Sequence, residues 1–591
     1  MPQADPLLDH AVTMLRRSRS FPLATPDDLA SIAADASWFS VPGGSTLFKQ
    51  HEPSDSLYLL LSGLLGAYAA DATGGEALIG RIGSGEMVGE MGCATGEPRS
   101  ATIRALRSSE VLRISRDHLE RVAGRNPEIL MSLCRTVIGR MQSIQKGKPD
   151  RYWPRTFCVL ANDDGVDARL FAEQFTAALG IKRTALLATR DTCRGYTADE
   201  LYALEARYEN VIYLAEPPDY AWSRLCLRQA DTVLVVARGA SEPKPITSLG
   251  QDVQSGIPLE LVLLWDRRIE PTHTVPWLRL LRPRHHSHVR SPADIGRLAR
   301  LLTGRGLGLV LSGGGARGFA HVGVAKALLE QGIAVDAVVG TSIGAVVGAA
   351  IATEWDYAMM VRRVDEFSRI RLWSQLTFPI RSLLSGHGLR ASLDDWFGES
   401  EIEEAPIPFA CITTNLVAGA VEVHRQGKLR TWTRASSSTP GIFPAVLDED
   451  VIHIDGGVLN NLPTDVIRDM GAGYVIAVDV GSNPIASAGA TAGTSERKPA
   501  AVDSERPNIL DLLIRVSMIS SNGRATVLRQ QCDLLLMPQI YGLGLMNFRG
   551  YQLAIDAGYS TTMEKIGDIR QGVSRLWESR SSRQDSPALD N

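Results

Sequence analysis

Three short segments of this 591-residue chain hold the residue types that acyl transfer needs. The first is Ser312-Gly313-Gly314-Gly315-Ala316-Arg317-Gly318, after the apolar stretch 307–311 and before a helical run through Val322, Ala325 and Leu328. Consecutive glycines let amide N–H groups converge without Cβ obstruction; at a strand-to-helix turn such a loop holds a phosphate or an oxyanion. The second is Gly340-Thr341-Ser342-Ile343-Gly344, after the strand-like 335–339 and before a small-residue helix at 345–352. This is G-x-S-x-G in the strand–turn–helix setting of a nucleophile elbow. Gly340 and Gly344 permit the bend, and the helix N-terminus adds positive potential at Ser342. The third is Asp455-Gly456-Gly457, after the apolar segment 451–454.

A serine nucleophile needs a proton acceptor. In the α/β-hydrolase order a histidine follows the acid. The last histidine here is His453, so Asp455 cannot join such a triad. A Ser342–Asp455 dyad is the economical arrangement, with Asp455 taking the proton during attack and returning it to the leaving alkoxide. Other readings stay open at this level. Gly313, Gly315 and Gly318 also fit G-x-G-x-x-G, with Asp336 near the position of a ribose-binding acid, which would make a dinucleotide-dependent oxidoreductase. Ser342 could simply cap a helix, and Asp455 could simply start a turn. Gly340, Gly344 and Gly348 mimic the small-residue face of paired membrane helices, but the apolar run 337–353 is short for a span. His321, His387, His424 and His453 read as structural.

In this order, SGGGARG, GTSIG and DGG resemble the patatin-like phospholipase family. The stretch DGGVLNNLPTDVIRDMGAGYVIAVDVGS is similar to its neuropathy target esterase branch, whose members act on phospholipids and lysophospholipids. The resemblance covers the third block of the chain and reaches into the second. It implies Ser342 and Asp455 as the catalytic dyad and Gly313, Gly314, Gly315 and Arg317 as the oxyanion loop, with no metal and no catalytic cofactor. The rival from another class is a regulatory scaffold with an idle lipase fold.

A further segment, Met87-Val88-Gly89-Glu90-Met91-Gly92-Cys93-Ala94 with Glu97-Pro98-Arg99-Ser100-Ala101, is similar to the phosphate-binding cassette of cyclic-nucleotide-binding domains. A short helix from Gly89 offers amides to a cyclic phosphate, and Arg99 adds a charge-assisted fork. Glu90 can accept from the ribose 2′-hydroxyl, and Ser100 can donate to phosphate or base. The implied regulator is cyclic AMP or cyclic GMP. The bland alternative is a relic in which Glu90 and Arg99 pair in a loop.

The elements that must position these groups form a multidomain α/β chain. Residues 1–148 read as a β-roll with helices: short apolar stretches (45–48, 57–61, 64–68) punctuated by Gly and Asp, then helical spacing from Arg116. Residues 149–303 alternate strands (157–161, 211–214, 232–236, 259–264) with helices and contain no G-x-x-x-x-G-K-[ST], so they read as a connecting α/β domain without an active P-loop. Residues 304–577 hold the strands 307–311, 335–339, 409–413 and 474–478, the pattern of a mainly parallel sheet. Residues 486–507 read as a linker or insertion and 578–591 as a disordered tail.

Hydrophobic residues are 44% and charged residues 22%, and the formal net charge is -4, which excludes a disordered chain and a polybasic nucleic-acid binder. The seven dispersed cysteines form no C-x-x-C pair, as in a reduced, cytoplasmic protein without a zinc ribbon. The first 20 residues lack the apolar core of a secretory signal. Two segments mix aromatic and basic residues suited to a peripheral membrane contact: 277–290, with Trp277, Leu278, Leu280 and Leu281 among arginines, and 370–390, with Trp373, Phe378, Leu383 and Leu384 among Arg371, Arg381 and Arg390. A homodimer is a further expectation, as one route from nucleotide to active site.

Overall fold

The computed structural model describes residues 24–70, 76–145, 153–163, 165–180, 184–187, 198–215, 220–246, 257–266, 270–370, 375–378, 382–481 and 519–581, together with Val12, Leu15, Arg16, Phe21, Ile380, Leu513, Val516 and Ser517. The linker expected at 486–507 lies outside the described residues, as do Arg371, Trp373 and Arg381. The chain packs as two compact units, residues 1–264 with 276–286, and residues 265–275 with 287–591.

The first unit opens with an antiparallel sheet in the order Ser37–Val41, Thr102–Ser115, Ser56–Ala70, Glu76–Gly83, with Thr46–Phe48 and Met87–Val88 paired beside it. The stretches 57–61 and 64–68, expected as separate strands, form one long strand. Gly63 joins them at φ +103, where the register against Thr102–Ser115 shifts and any Cβ would fall 2.2 Å from Ser109 Oγ. A bulge needs such a residue, and it bends the strand into a roll. The helices Arg116–Arg125 and Glu128–Gln145 follow.

The α/β layer of the same unit is a sheet in the order His285–Val289, Leu259–Leu264, Thr232–Arg238, Thr156–Ala161, Asn210–Ala215, Thr184–Leu187. Its central strands pair in parallel and are buried along most of their length, which explains their continuous apolar runs. Arg107, from the roll, is buried against this layer. Its Nε lies 2.8 Å from Asp231 Oδ1 and its Nη2 3.1 Å from Glu205 Oε2, and Asp231 is fully buried. Removing one partner of such a group strands a buried charge, at a cost of about 3–5 kcal/mol.

The second unit is built on an eight-stranded sheet: β1 Gly306–Leu311, β2 Ala337–Thr341, β3 Phe409–Asn415, β4 Ala420–His424, β5 Val446–Asp448, β6 Val451–Asp455, β7 Ala472–Val478 and β8 Leu534–Leu536. The order is β5-β6-β3-β2-β1-β7-β8, with β4 also paired to β3. Pairs among β3, β2, β1, β7 and β8 are parallel; β4, β5 and β6 add antiparallel pairs. Side chains alternate between two cores. Leu309, Leu311, Val338, Ile476 and Val478 face one, and Val310, Val339, Val475 and Ala477 the other. Both faces are therefore covered, which a parallel sheet requires.

Three boundaries differ from the sequence reading. The strand expected at 335–339 starts two residues later, because Asp336 is buried in an ion pair with Arg300 and its carboxylate accepts the Leu307 amide. Helix Pro292–Leu302 lies in the second unit rather than in the preceding block, since Leu301 packs with Val310 and Ile467. The last helix, Ile566–Ser581, continues past residue 578, where a tail was expected. The apolar run 337–353 is accounted for by β2 and the helix Ile343–Ala352, whose residues are buried from Gly344 onward. Among the described residues no helix is long and apolar enough to cross a membrane.

Candidate active site

β2 delivers Ser342 to the top of the sheet. Ser342 sits between strand and helix at φ 55, ψ −127, a conformation strained for any side chain but glycine's. The bend holds because its flanks are closely packed. A Cβ on Gly340 would meet the Gly344 carbonyl at 2.2 Å, and one on Gly344 would meet the Leu311 carbonyl at 2.2 Å. The Ser342 amide donates to Ser436 Oγ at 2.8 Å, and Ser436 Oγ donates to the Ile412 carbonyl at 2.6 Å, tying the elbow to β3. Ser342 is thus more than a helix cap: its side chain makes no capping bond.

Asp455 ends β6, which pairs antiparallel with β3 so that Asp455 faces Thr413. The Ser342 hydroxyl donates to Asp455 Oδ2 at 3.0 Å across 113 positions of sequence. Thr439 Oγ1 donates to the same oxygen at 2.9 Å, and the Gly457 amide donates to Oδ1 at 2.8 Å. Burial pushes the Asp455 carboxyl up to about 6, against the lowering effect of the Gly457, Thr439 and Ser342 hydrogen bonds. The histidines near the sheet are poor proton carriers at neutral pH. Burial lowers His321 to about 4, with its Nε2 2.8 Å from the Ser312 carbonyl, and lowers His424 to about 3.

The glycine loop lies beside this pair. The four residues expected to form the oxyanion cradle divide into two roles. The Gly313 amide is occupied, donating to Asn461 Oδ1 at 3.0 Å, while Asn461 Nδ2 donates back to the Gly313 carbonyl at 3.3 Å. The Arg317 amide returns to the Gly314 carbonyl, and Arg317 Nε donates to the Leu543 carbonyl at 2.9 Å. Gly313 and Arg317 therefore fasten the loop. Gly314 and Gly315 are left with amides that meet no acceptor among the described residues. Gly315 has φ +56, and a Cβ there would fall 2.3 Å from the Leu545 carbonyl, so only glycine fits. The dinucleotide reading fails on the same geometry: Asp336 is buried and gripped by Arg300, and a Cβ on Gly318 would strike Ile343.

A cavity of about 400 Å³ opens over Ser342 and Asp455. Its lining includes the apolar side chains of Phe319, Val346, Phe367, Leu389, Trp396 and Phe443 together with Arg317, Asp479 and Arg529. Sequence reasoning missed Asn461, Ser436 and Thr439. Asn461 follows the DGG motif by four residues, and Ser436 and Thr439 lie in the polar run 436–439, so a search for small hydrogen-bonding residues near the motifs would have found them.

The nucleotide cassette lies in the first unit. Gly89, at φ +80, caps the helix Glu90–Thr95, and a Cβ on it would fall 2.2 Å from Arg99 Nη1. Arg99 is buried. Its Nη1 donates to the Gly89 carbonyl at 3.3 Å, its Nη2 to Ser56 Oγ at 3.4 Å, and its guanidinium lies 4.2 Å from the Phe48 ring centre. Glu90 is buried and Ser100 exposed. In the α/β layer, the turn after Thr156–Ala161 is closed by an internal ion pair. Asp163 accepts from Arg238 Nε at 2.9 Å and from Ser241 Oγ at 2.6 Å, bonds that hold its carboxyl well below the usual range. A Cβ on Gly165 would fall 2.4 Å from that guanidinium.

The two expected membrane segments differ. In the first, Trp277 and Leu278 are buried, whereas Leu280 is 44% exposed. In the second, Leu376 bridges to Leu384, and Phe378 and Ile380 between them are 84% and 81% exposed. Leu384 packs with Ile442, Phe443 and Met546, the last two of which also line the cavity.

Comparison with known proteins follows the same division. Residues 309–467 match the model of patatin-like phospholipases, residues 155–302 the neuropathy target esterase family P-loop like domain, and residues 38–126 the cyclic nucleotide-binding domain. Patatin-like phospholipase domain-containing protein 7 of Rattus norvegicus is 32% identical over 81% of this chain and 40% of its own length. Neuropathy target esterase sws of Drosophila melanogaster is 30% identical over 75% of this chain and 36% of its own. Lysophospholipase NTE1 of Mycosarcoma maydis is 28% identical over 92% of this chain and 34% of its own. The chain thus spans less than half the length of these relatives. With all three matches in one chain, it carries a cyclic nucleotide-binding domain, a neuropathy target esterase family P-loop like domain and a patatin-like phospholipase domain, and it is similar to the neuropathy target esterase branch of that family.

Proposed function

We propose that the second unit is a serine esterase that hydrolyses acyl esters of phospholipids or lysophospholipids through Ser342 and Asp455. The observation that carries this is the 3.0 Å hydrogen bond from Ser342 to a buried carboxylate at a cavity also lined by Phe319, Phe367, Leu389 and Trp396. Asp455 takes the hydroxyl proton as Ser342 Oγ attacks the ester carbonyl. The tetrahedral oxyanion is met by the amides of Gly314 and Gly315. Asp455 passes the proton to the departing alkoxide, leaving an acyl-serine. Water then attacks, Asp455 accepts its proton, and the fatty acid leaves as Ser342 regains its hydrogen. The acyl chain lies along the aromatic wall, where burial of each methylene contributes about 0.8 kcal/mol.

The first unit binds a cyclic nucleotide at Gly89, Glu90, Arg99 and Ser100, and binding regulates turnover. The match to a cyclic nucleotide-binding domain supports this, as does the buried guanidinium of Arg99 beside Gly89. Phe378 and Ile380 contact the lipid surface from which substrate is drawn.

The direct test is labelling of the chain by a fluorophosphonate with turnover of a lysophospholipid. Ser342→Ala should abolish labelling, and both Ser342→Ala and Asp455→Asn should lower kcat by roughly 10³-fold or more. Full labelling of Ser342→Ala would name another nucleophile. The base works only when ionised, so kcat/KM should fall as pH drops through about 6 and level off above it.

The same carboxyl bears on stability. Its folded pKa is raised, so its contribution is fully present below the unfolded value and is lost as pH rises through about 6. At pH 8 the buried charge costs about 3 kcal/mol. Asp455→Asn should therefore unfold at a higher temperature than the parent at pH 8, with the gap closing near pH 4; a lower Tm at pH 8 would contradict the account. For the nucleotide site, Arg99→Lys should weaken binding of a fluorescent cyclic nucleotide about tenfold or more, because the planar fork is lost. Turnover unchanged at saturating nucleotide would remove the regulatory part. For the lipid surface, Phe378→Ser should reduce binding to anionic vesicles while hydrolysis of a short, soluble ester stays at the parental rate. Equal vesicle binding would exclude Phe378 from the contact.

A further inference from the structure

Alternation along a strand puts residues two apart on one face. On β6 that pairs His453 with Asp455, on β4 Glu422 with His424, and on β3 Thr413 with Asn415. The registers join these rows: Thr413 is opposite both Glu422 and Asp455, and Asn415 is opposite His453. Two imidazoles and a carboxylate from β4 and β6 therefore converge on the face that carries Asp455. His453 Nδ1 lies 3.3 Å from Glu422 Oε2, and one donor atom from each of Glu422, His424 and His453 falls within 4.8 Å of the others. Two ligands bonded to a tetrahedral zinc at its usual 2.0–2.1 Å are about 3.3 Å apart, so the Glu422–His453 pair already has that spacing.

The surroundings orient these donors. Asn415 Nδ2 donates to Glu422 Oε1 at 2.7 Å, leaving Oε2 toward His453. The Thr413 hydroxyl lies 2.6 Å from His424 Nε2 and 3.2 Å from His453 Nδ1, so it bridges the imidazoles. Trp432 stacks on His424 with ring centres 3.6 Å apart and meets His453 edge-on at 5.1 Å. The Asn415 bond and the apolar wall are outer-shell supports of the kind that fix ligand orientation in metal sites, while the Thr413 hydroxyl holds the same His453 Nδ1 that faces Glu422 and would yield that nitrogen to an ion. Two nitrogens and one carboxylate oxygen suit a late divalent transition ion and are too few oxygens for calcium.

We propose that Glu422, His424 and His453 bind a zinc-class divalent cation that links β4 to β6, the strand ending in Asp455. Sequence spacing hides this site, since His424 and His453 are 29 positions apart with no short metal-binding motif around them. The proposal concerns a structural ion and stands apart from the esterase reading.

The experiment is isothermal titration of Zn²⁺ into the full chain after chelator treatment and dialysis, with Co²⁺ absorption as a second readout. One equivalent should bind with micromolar or tighter affinity, Co²⁺ should give the visible bands of a four- or five-coordinate ion, and Zn²⁺ should raise the Tm. His453→Gln should weaken that event by about 10–100-fold and remove the bands. Glu422→Gln, at a half-exposed position, should do the same and covers the case in which His453→Gln does not fold. A parent that binds no equivalent of Zn²⁺, or binding of equal strength in parent and Glu422→Gln, overturns the proposal.

Discussion

The second unit is organised around one hydrogen bond between groups that the chain keeps far apart. Ser342 closes β2 and Asp455 closes β6, and the two strands meet only because β3 lies between them, parallel to one and antiparallel to the other. An all-parallel sheet would send both strands out in one direction with crossover helices at each return. Reversing β6 lets the chain come back along β3 and stop at the level of the elbow. The antiparallel corner of β4, β5 and β6 is thus the device that brings a carboxylate to a serine. It also explains why DGG falls more than a hundred residues after GTSIG.

That contact holds two unfavourable features in place. Ser342 occupies a backbone region that costs about 1–3 kcal/mol, and Asp455 is a carboxyl taken out of water. Neither is relaxed by its immediate neighbours. The helix after Ser342 is buried from Gly344 to Ala352, so it cannot shift to relieve the bend. The three hydrogen bonds to Asp455 lower its pKa, yet burial outweighs them. In the proposed mechanism a carboxyl pushed up to about 6 is close enough to neutrality to accept a proton in attack and release it in the next step. A more exposed aspartate would be too weak a base, and a histidine at this position is not required.

The local geometry of the candidate site was legible because it depends on glycine and on order. Gly313–Gly318, Gly340 and Gly344 are written in sequence as they stand in space, since close approach of backbones tolerates nothing else. The central strands of both sheets were legible for a similar reason: strands buried on two faces must be apolar throughout. What escaped was whatever depends on partners. Nothing in the spacing of the loop tells which amides are spent on it: that of Gly313 goes to Asn461 and that of Arg317 to the Gly314 carbonyl. Trp277 and Leu278 sit among arginines in the sequence, but Arg279, Arg282 and Arg284 are exposed while the two apolar residues are in the core. The break expected between 61 and 64 was a bulge inside one strand, because Gly63 in sequence cannot distinguish a turn from a kink.

Within the first unit the same logic applies to the nucleotide cassette. Arg99 and Ser100 lead directly into the strand Thr102–Ser115, and that strand carries Arg107, buried against Asp231 and Glu205 of the α/β layer. Asp231 is held in turn by the amides of Arg155 and Thr156 at the start of the central strand. A buried charge with this many fixed partners does not slide; it stays seated or leaves altogether. Movement at the cassette therefore has a stiff route into the α/β layer through a single strand. At the other end of the strand Thr156–Ala161 the turn is closed by the Asp163–Arg238 ion pair, so the central strand of the layer is held at both ends.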